Sequence, residues 1–282
     1  MTNEKSFTKY EETLDCLKKN KIEIEKQQEI LRDQLQSLSS IARVLVNLEN
    51  FMERGWHLHI LEVLEKNKGL LAEDKINNSS IIKFLEEIKK IATETRKNTK
   101  PHLFPRNLQE ACQKADIKID SNSSHPIYKF NQGFFEIKVD DGKKRIYLSN
   151  YESSKIIDFP ADIPAVLHYL QQEQKRIFGR SFNGKTFLIK LRTEYLAIIK
   201  KNKLTDGSSI LIRSIIENLK KKDKNLTSDE FLVDLSKLVR EGHGEINDRR
   251  FELQQTKDMK EGMLLHGTLS PTYVGFIIFK KV

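Results

Sequence analysis

Residues 226–256, LTSDEFLVDLSKLVREGHGEINDRRFELQQT, and 273–282, YVGFIIFKKV, carry the pattern from which the fold of this chain is read. Thr227 and Ser228 are N-cap candidates, and Asp229 and Glu230 in the first turn suit the positive end of a helix dipole. Phe231, Leu232, Leu235, Leu238 and Val239 recur at i, i+1, i+4, i+7 and i+8, one apolar stripe of an amphipathic helix. Gly242 and Gly244 end it. Two runs of strand character follow, 249–256 and 273–280, joined by a segment with Gly262, Gly267 and Pro271.

Upstream, residues 185–201 read as a helix with Phe187, Leu188, Leu191, Tyr195, Ile198 and Ile199 apolar. The turn Thr205-Asp206-Gly207 leads to a short strand at 209–212, and a second helix at 214–222 sets Ile215, Ile216 and Leu219 on one side. The order helix, short strand, helix, helix, strand, strand resembles the winged-helix superfamily. That resemblance rests on element order and covers about a third of the chain. It implies that 227–241 is the helix such domains offer to a DNA major groove. A fold alone does not assign a function.

Composition narrows the classes. The 282 residues suffice for two or three domains, and 32% charged with 38% apolar residues suits a helix-rich protein. The longest apolar runs fall well short of the ~20 residues that cross a bilayer. The opening MTNEKSFTKYEE lacks the basic-then-apolar order of a secretory signal. Cys16 and Cys112 are too few and too far apart for a disulfide framework or a zinc site. A cytoplasmic protein with no membrane partner is expected.

The net charge of +9 directs attention to nucleic acid. Residues 1–100 contribute +1, 101–180 +2 and 181–282 +6, so the surplus lies in the winged-helix-like piece. Within it, Lys200, Lys201, Lys203, Arg213, Lys220, Lys221, Lys222 and Lys224 form the nucleic-acid-binding candidate set. The helix 227–241 carries Asp229, Glu230, Asp234 and Glu241 against Lys237 and Arg240. Base-reading helices present Arg, Lys, Asn or Gln, so sequence-specific readout is not expected. Nonspecific phosphate contact by the lysines and solvated helix ends that complement the dipole are both open readings.

Residues 8–50 contain neither Pro nor Gly and read as one long helix. Ile24, Gln28, Leu31, Leu35, Leu38, Ala42 and Leu45 alternate steps of four and three, a heptad seam. Its partner is either internal, the amphipathic segments 56–66 and 80–97, or another chain. Leu31, Leu35, Leu38 and Leu45 are therefore partner-binding candidates. So are Met263, Leu264 and Leu265, which are more apolar than a solvent loop needs. A linker is expected at 97–105, a short helix at 107–115, then a three-strand meander at 127–130, 133–139 and 145–149, and a helix at 164–178. The fold class is α+β, mainly helical: a helical or coiled-coil assembly region at 1–100, a small α+β domain at 101–180 and the winged-helix-like domain at 181–282.

Two strings bring chemistry to mind. Glu136-x-Lys138 resembles half of the PD-(D/E)xK nuclease signature, where carboxylates hold a divalent metal; the signature also needs an Asp on a neighbouring strand, and Asp120 falls before a polar turn rather than clearly on one. Gly179, Gly184, Lys185 and Thr186 match G-x-x-x-x-G-K-T, but a helix rather than a strand leads into Gly179. The seven histidines lack metal spacing: His57 and His59 are two apart, and the others are isolated. No catalytic residue, metal ligand or cofactor is expected. The layout loosely resembles kleisin-like and accessory subunits of bacterial chromosome-structuring and anti-phage ATPase complexes. That resemblance implies a non-enzymatic adaptor that binds a protein partner, an ATPase among the options, or a second copy, with nonspecific DNA contact. A dimeric winged-helix DNA-binding regulator is the alternative, and a metal-dependent nuclease the third.

Overall fold

The computed structural model describes residues 2–72, 76, 78–98, 101–242, 244–267 and 272–282. The chain is α+β and divides into two compact units, Met1–Lys100 and Pro101–Val282.

The first unit begins with α1, Thr2–Glu53, which spans roughly 78 Å at 1.5 Å per residue. It stops at Gly55, whose φ of +67° is a left-handed conformation that disfavours other residues. Trp56 is buried there and stacks on Phe51 at 5.5 Å. Helices α2, His57–Lys66, and α3, Ser79–Asn98, follow. Asn78 accepts the Ser80 amide at 3.0 Å and so caps α3. The core they enclose takes only the last turns of α1: Ile41, Val44 and Leu48 pack with Ile60, Leu64, Ile76, Leu85, Ile88 and Ala92. This stripe, continued by Phe51, is rotated by one residue, roughly 100°, from the heptad seam. Of the seam candidates, Leu45 leans on that core, whereas Leu31, Leu35 and Leu38 are exposed. Of these four candidates the internal bundle therefore reaches only Leu45.

Of the linker expected at 97–105, 97–98 belong to α3, 99–100 lie outside the described residues and 101–105 are helical. A 3-10 turn at Pro101–Leu103 runs straight into α4, Phe104–Lys114. The sequence-based meander gains a strand: β1, Ile127–Phe130, β2, Phe135–Asp140, β3, Arg145–Asn150, and β4, Ile157–Pro160, pair antiparallel in that order. Phe135, Ile137 and Val139 alternate inward, and Ile137 and Val139 stand opposite Leu148 and Ile146 on β3. Helix α5, Ile163–Phe178, covers that face, with Tyr169 against Phe159 at 4.6 Å and Phe178 against Phe135 at 6.1 Å.

The rest comprises α6, Gly184–Lys201, β5, Ile210–Leu211, α7, Ile212–Lys222, α8, Ser228–Glu241, β6, Glu245–Ile246, β7, Arg249–Gln255, β8, Met263–Leu264, and β9, Tyr273–Lys281. The second sheet has the order β5-β9-β7-β6, with β8 on β9. Asn247 and Asp248, both at positive φ, make the two-residue turn between β6 and β7. The pieces 101–180 and 181–282, separate in the sequence reading, belong to one unit. Phe134 and Phe178 meet His266 at 5.3 and 5.1 Å, and Asn150 donates to Asp229 at 2.8 Å.

Candidate functional site

The helix that sequence order singles out, α8, is capped at its start: Glu230 accepts the Thr227 amide at 3.3 Å, and Asp229 accepts the Glu230 amide at 2.9 Å. Around that cap the acidic residues are taken up by the last turn of α5 and the connection just after it. The guanidinium of Arg176 donates to Asp229 at 2.6 Å, to Glu173 at 2.7 Å and to Glu230 at 3.4 Å. Arg180 donates to the Glu230 carbonyl at 3.2 Å and to Asp234 at 2.8 Å. Asn150 at the end of β3 donates to the same Asp229 oxygen at 2.8 Å. Burial of Asp229 works against its ionised form, but hydrogen bonds from Arg176 and Thr227 outweigh it and hold the carboxyl below the usual range. Burial lifts the Asp234 carboxyl, and Arg180 only partly opposes that.

The consequence for function is steric. From Ser228 to Leu238 every α8 side chain is buried or half-buried, and exposure begins at Val239. Lys237, the one base on that stretch, lies over the Phe182 ring at 5.7 Å. The acidic face reads from sequence as a phosphate-repelling surface. It is instead an internal contact with two arginines some fifty residues earlier.

The basic candidates divide. Lys200, Lys201 and Lys203 at the end of α6 are exposed, as are Lys220, Lys221, Lys222 and Lys224 at the end of α7. Lys222 is tied to Glu194 at 2.5 Å, and Lys220 donates to the Ser228 hydroxyl at 2.8 Å. Arg213 is no surface cation. It is half-buried, paired with Glu152 and donating to the Gly262 carbonyl at 2.9 Å. Burial raises the Glu152 carboxyl's pKa, and Arg213 works in the opposite direction. Sequence reasoning missed a second basic group, in which Arg249 and Arg250 stand opposite Lys281 and Lys280 on β7 and β9. Its halves are thirty residues apart, so only the strand pairing brings them together.

Met263 and Leu265 correct another expectation. Both are buried, with Leu264 half-buried, because β8 lies on β9 and Ser236 of α8 accepts the His266 amide at 3.0 Å. They are core side chains of the second sheet rather than a docking patch. His266 itself donates from Nε2 to the Asn131 carbonyl at 2.9 Å among Phe134 and Phe178. Burial depresses its pKa, so folding favours the neutral ring. The sign follows: the stabilisation is present above the unfolded value near 6.5 and is lost as pH falls through the folded one. Denaturant midpoints measured from pH 8 to 5 should therefore drop on the acid side, and His266→Gln should remove part of that drop. An identical pH profile in the variant would contradict this.

The strings with chemical promise fold into other uses. Asp120 accepts the amides of Gln132 and Gly133 at 3.2 and 2.6 Å, which fixes the β1–β2 turn. Glu136 and Lys138 lie on the outward face of β2. Asn183 caps α6 by accepting the Thr186 amide at 2.9 Å, and α5 leads into Gly179, so Gly179–Thr186 is a helix-to-helix connection. Among the described residues no three His, Cys, Asp or Glu side chains gather as a metal site would require. His125 contacts Asp141 at 2.7 Å and the Tyr128 hydroxyl at 3.3 Å, a trio the sequence reading did not single out. Burial, then the Asp141 charge, raises the Tyr128 pKa, so its phenolate is disfavoured and the trio braces a turn. His243 and Pro271 lie outside the described residues. The chain matches no protein-family model, no curated protein sequence and no solved structure.

Proposed function

We propose that this chain is a non-enzymatic adaptor whose α1 docks a protein partner along an exposed apolar stripe. One observation carries the reading: Ile24, Leu31, Leu35 and Leu38 lie on one side of α1 and are exposed in the chain. A helix that is not packed along its length gains little from propensity alone, and an apolar stripe in water favours association. The partner-binding candidates are accordingly Leu31, Leu35 and Leu38. Replacing Leu31 and Leu38 by Asp should abolish the association while the melting of Pro101–Val282 stays unchanged. Association that survives the double substitution overturns the reading.

The second unit is, on this proposal, winged-helix-like from α6 to β9. The order α6, β5, α7, α8, β7, β9 and the sheet order β5-β9-β7 support that description. A prokaryotic DNA-associated complex, in chromosome maintenance or anti-phage defence, is the setting that the layout's resemblance to kleisin-like and accessory subunits favours. DNA contact there is through phosphates, by the exposed lysines at the ends of α6 and α7. Base reading by α8 is disfavoured by its burial, which also weighs against the regulator alternative. Replacing Lys220, Lys221, Lys222 and Lys224 by Glu should weaken binding equally for unrelated duplexes. It should also flatten the plot of log K against log salt by about 0.9 for each phosphate that is no longer neutralised. A preference for one sequence that survives the change would contradict nonspecific contact.

A further inference from the structure

The exposed stripe is longer and more regular than the seam from Ile24 to Leu45. Leu14 and Leu17 extend it toward the N-terminus, and both are exposed. Leu17, Ile24, Leu31 and Leu38 recur at intervals of seven, with Leu14 and Leu35 three residues ahead of Leu17 and Leu38. These six side chains are 42 to 67% exposed. A strict seven-residue apolar repeat drives two helices into a left-handed supercoil. We propose, building on the docking-helix reading, that the occupant of this stripe is a second copy of this chain. The two helices form a parallel, in-register two-stranded coiled coil over residues 14–38.

The polar members of the seam decide the orientation. Residues 14, 21, 28 and 35 occupy one heptad position, conventionally a, and 17, 24, 31 and 38 occupy the other, d. The d position is Leu, Ile, Leu, Leu throughout, while a is Leu14, Lys21, Gln28 and Leu35. In a parallel, in-register pair each a residue meets its own copy and each d residue its own copy. All four d layers are then apolar. The Gln28 amides face each other as donor and acceptor, and Lys21 lies against Lys21 with its ammonium reaching Glu25 on its own helix at 3.7 Å. An antiparallel pair sets every a against a d, so Lys21 and Gln28 would each press on a Leu or Ile of the other chain. That leaves polar groups buried without partners.

The flanks allow the parallel arrangement. Each residue preceding a faces the one following d in the next heptad of the other chain, which gives Thr13 with Lys18, Asn20 with Glu25, Gln27 with Arg32 and Gln34 with Ser39. None of these four pairs joins like charges. The size is also adequate. Six apolar side chains at roughly 100 Å² each, the burial implied by the usual transfer energies, give about 600 Å² per chain. That is ~1,200 Å² in all, where specific interfaces begin.

The test uses the full chain with Cys16 replaced by Ser and one cysteine introduced at a time, Ile24→Cys or Leu38→Cys. Light scattering at tens of micromolar should give twice the chain mass of 32.9 kDa. Under mild oxidation both variants should give a disulfide-linked dimer, since each d residue adjoins its own copy. In the unmodified chain Cys16, two residues past an a position and facing outward, should cross-link far less. Cross-linking of one variant but not the other indicates an antiparallel pair, in which only the residue at the two-fold axis meets itself, and overturns the proposal. A dimer that cross-links at neither position overturns it too. A monomeric mass overturns the second copy as occupant. Thiol labelling of Leu31→Cys then decides the broader reading: fast labelling leaves the stripe open to a different protein, whereas protection means the chain covers its own stripe and both readings fail.

Discussion

Replacing Arg176 by Met should destabilise the unit Pro101–Val282 by about 3 kcal/mol, the lower end of the range for removing one partner of a buried ion pair because this guanidinium is about one-third exposed. The loss arises because Asp229 is buried and Glu173 and Glu230 have side chains 15 and 12% exposed, so three carboxylates would share an uncompensated site. Arg176→Lys keeps the charge but not the planar fork, and its loss should be intermediate. The pH dependence checks the cause. The stabilisation linked to the depressed Asp229 pKa is present above the unfolded value near 3.9 and is lost as pH falls through the folded one. The gap between wild type and Arg176→Met should therefore narrow in acid. A melting difference that is small at neutral pH, or constant down to pH 3, would show that the arginine does not clamp α8 to α5.

The second large effect separates the two stripes of α1. Leu48 is 1% exposed in the core shared with α2 and α3, and Leu48→Ala should cost roughly 2–5 kcal/mol in the melting of the first unit. Leu31→Ala, well upstream on the same helix, removes a side chain that lies outside that core. It should leave the melting unchanged at dilutions where the chain is not associated. Denaturant titrations at high and low protein concentration measure both. Equal losses for the two substitutions at high dilution would place Leu31 in an internal bundle, contrary to the separation of the stripes.

These two results bear on what was legible in the residues alone. The stripe and cap of α8 are local signals, and the helix follows them from Ser228 to a left-handed Gly242. Its burial is not local, because Arg176 sits on α5 and Arg180 just past its end, and no spacing rule ties them to Asp229 and Asp234. The same holds for Met263 and Leu265, whose apolar character invites a docking reading until the pairing of β8 with β9 is known. Strand β4 escaped notice because Ile157-Asp158-Phe159-Pro160 is short, carries a charge and ends in proline, a composition that suits an edge. On α1 two helical periods overlap between residues 41 and 48. A seam drawn through Leu45 merges them, whereas packing assigns Ile41, Val44 and Leu48 to the core. The basic surplus of the last hundred residues is legible in the sequence, but its division between exposed lysines and a half-buried arginine in an ion pair depends on Glu152, sixty-one residues from Arg213.

The central claim is that α1 before its core turns is held by an association along its apolar stripe. Hydrogen exchange of the amides between residues 17 and 38 tests it most directly. Isolated helical segments of this length are marginal in water, so protection there reports docking. Wild-type chain at associating concentration should protect these amides, and Leu31→Asp with Leu38→Asp should reduce that protection at least tenfold while amides 44–51 remain protected. Equal protection of 17–38 in both proteins would contradict the account.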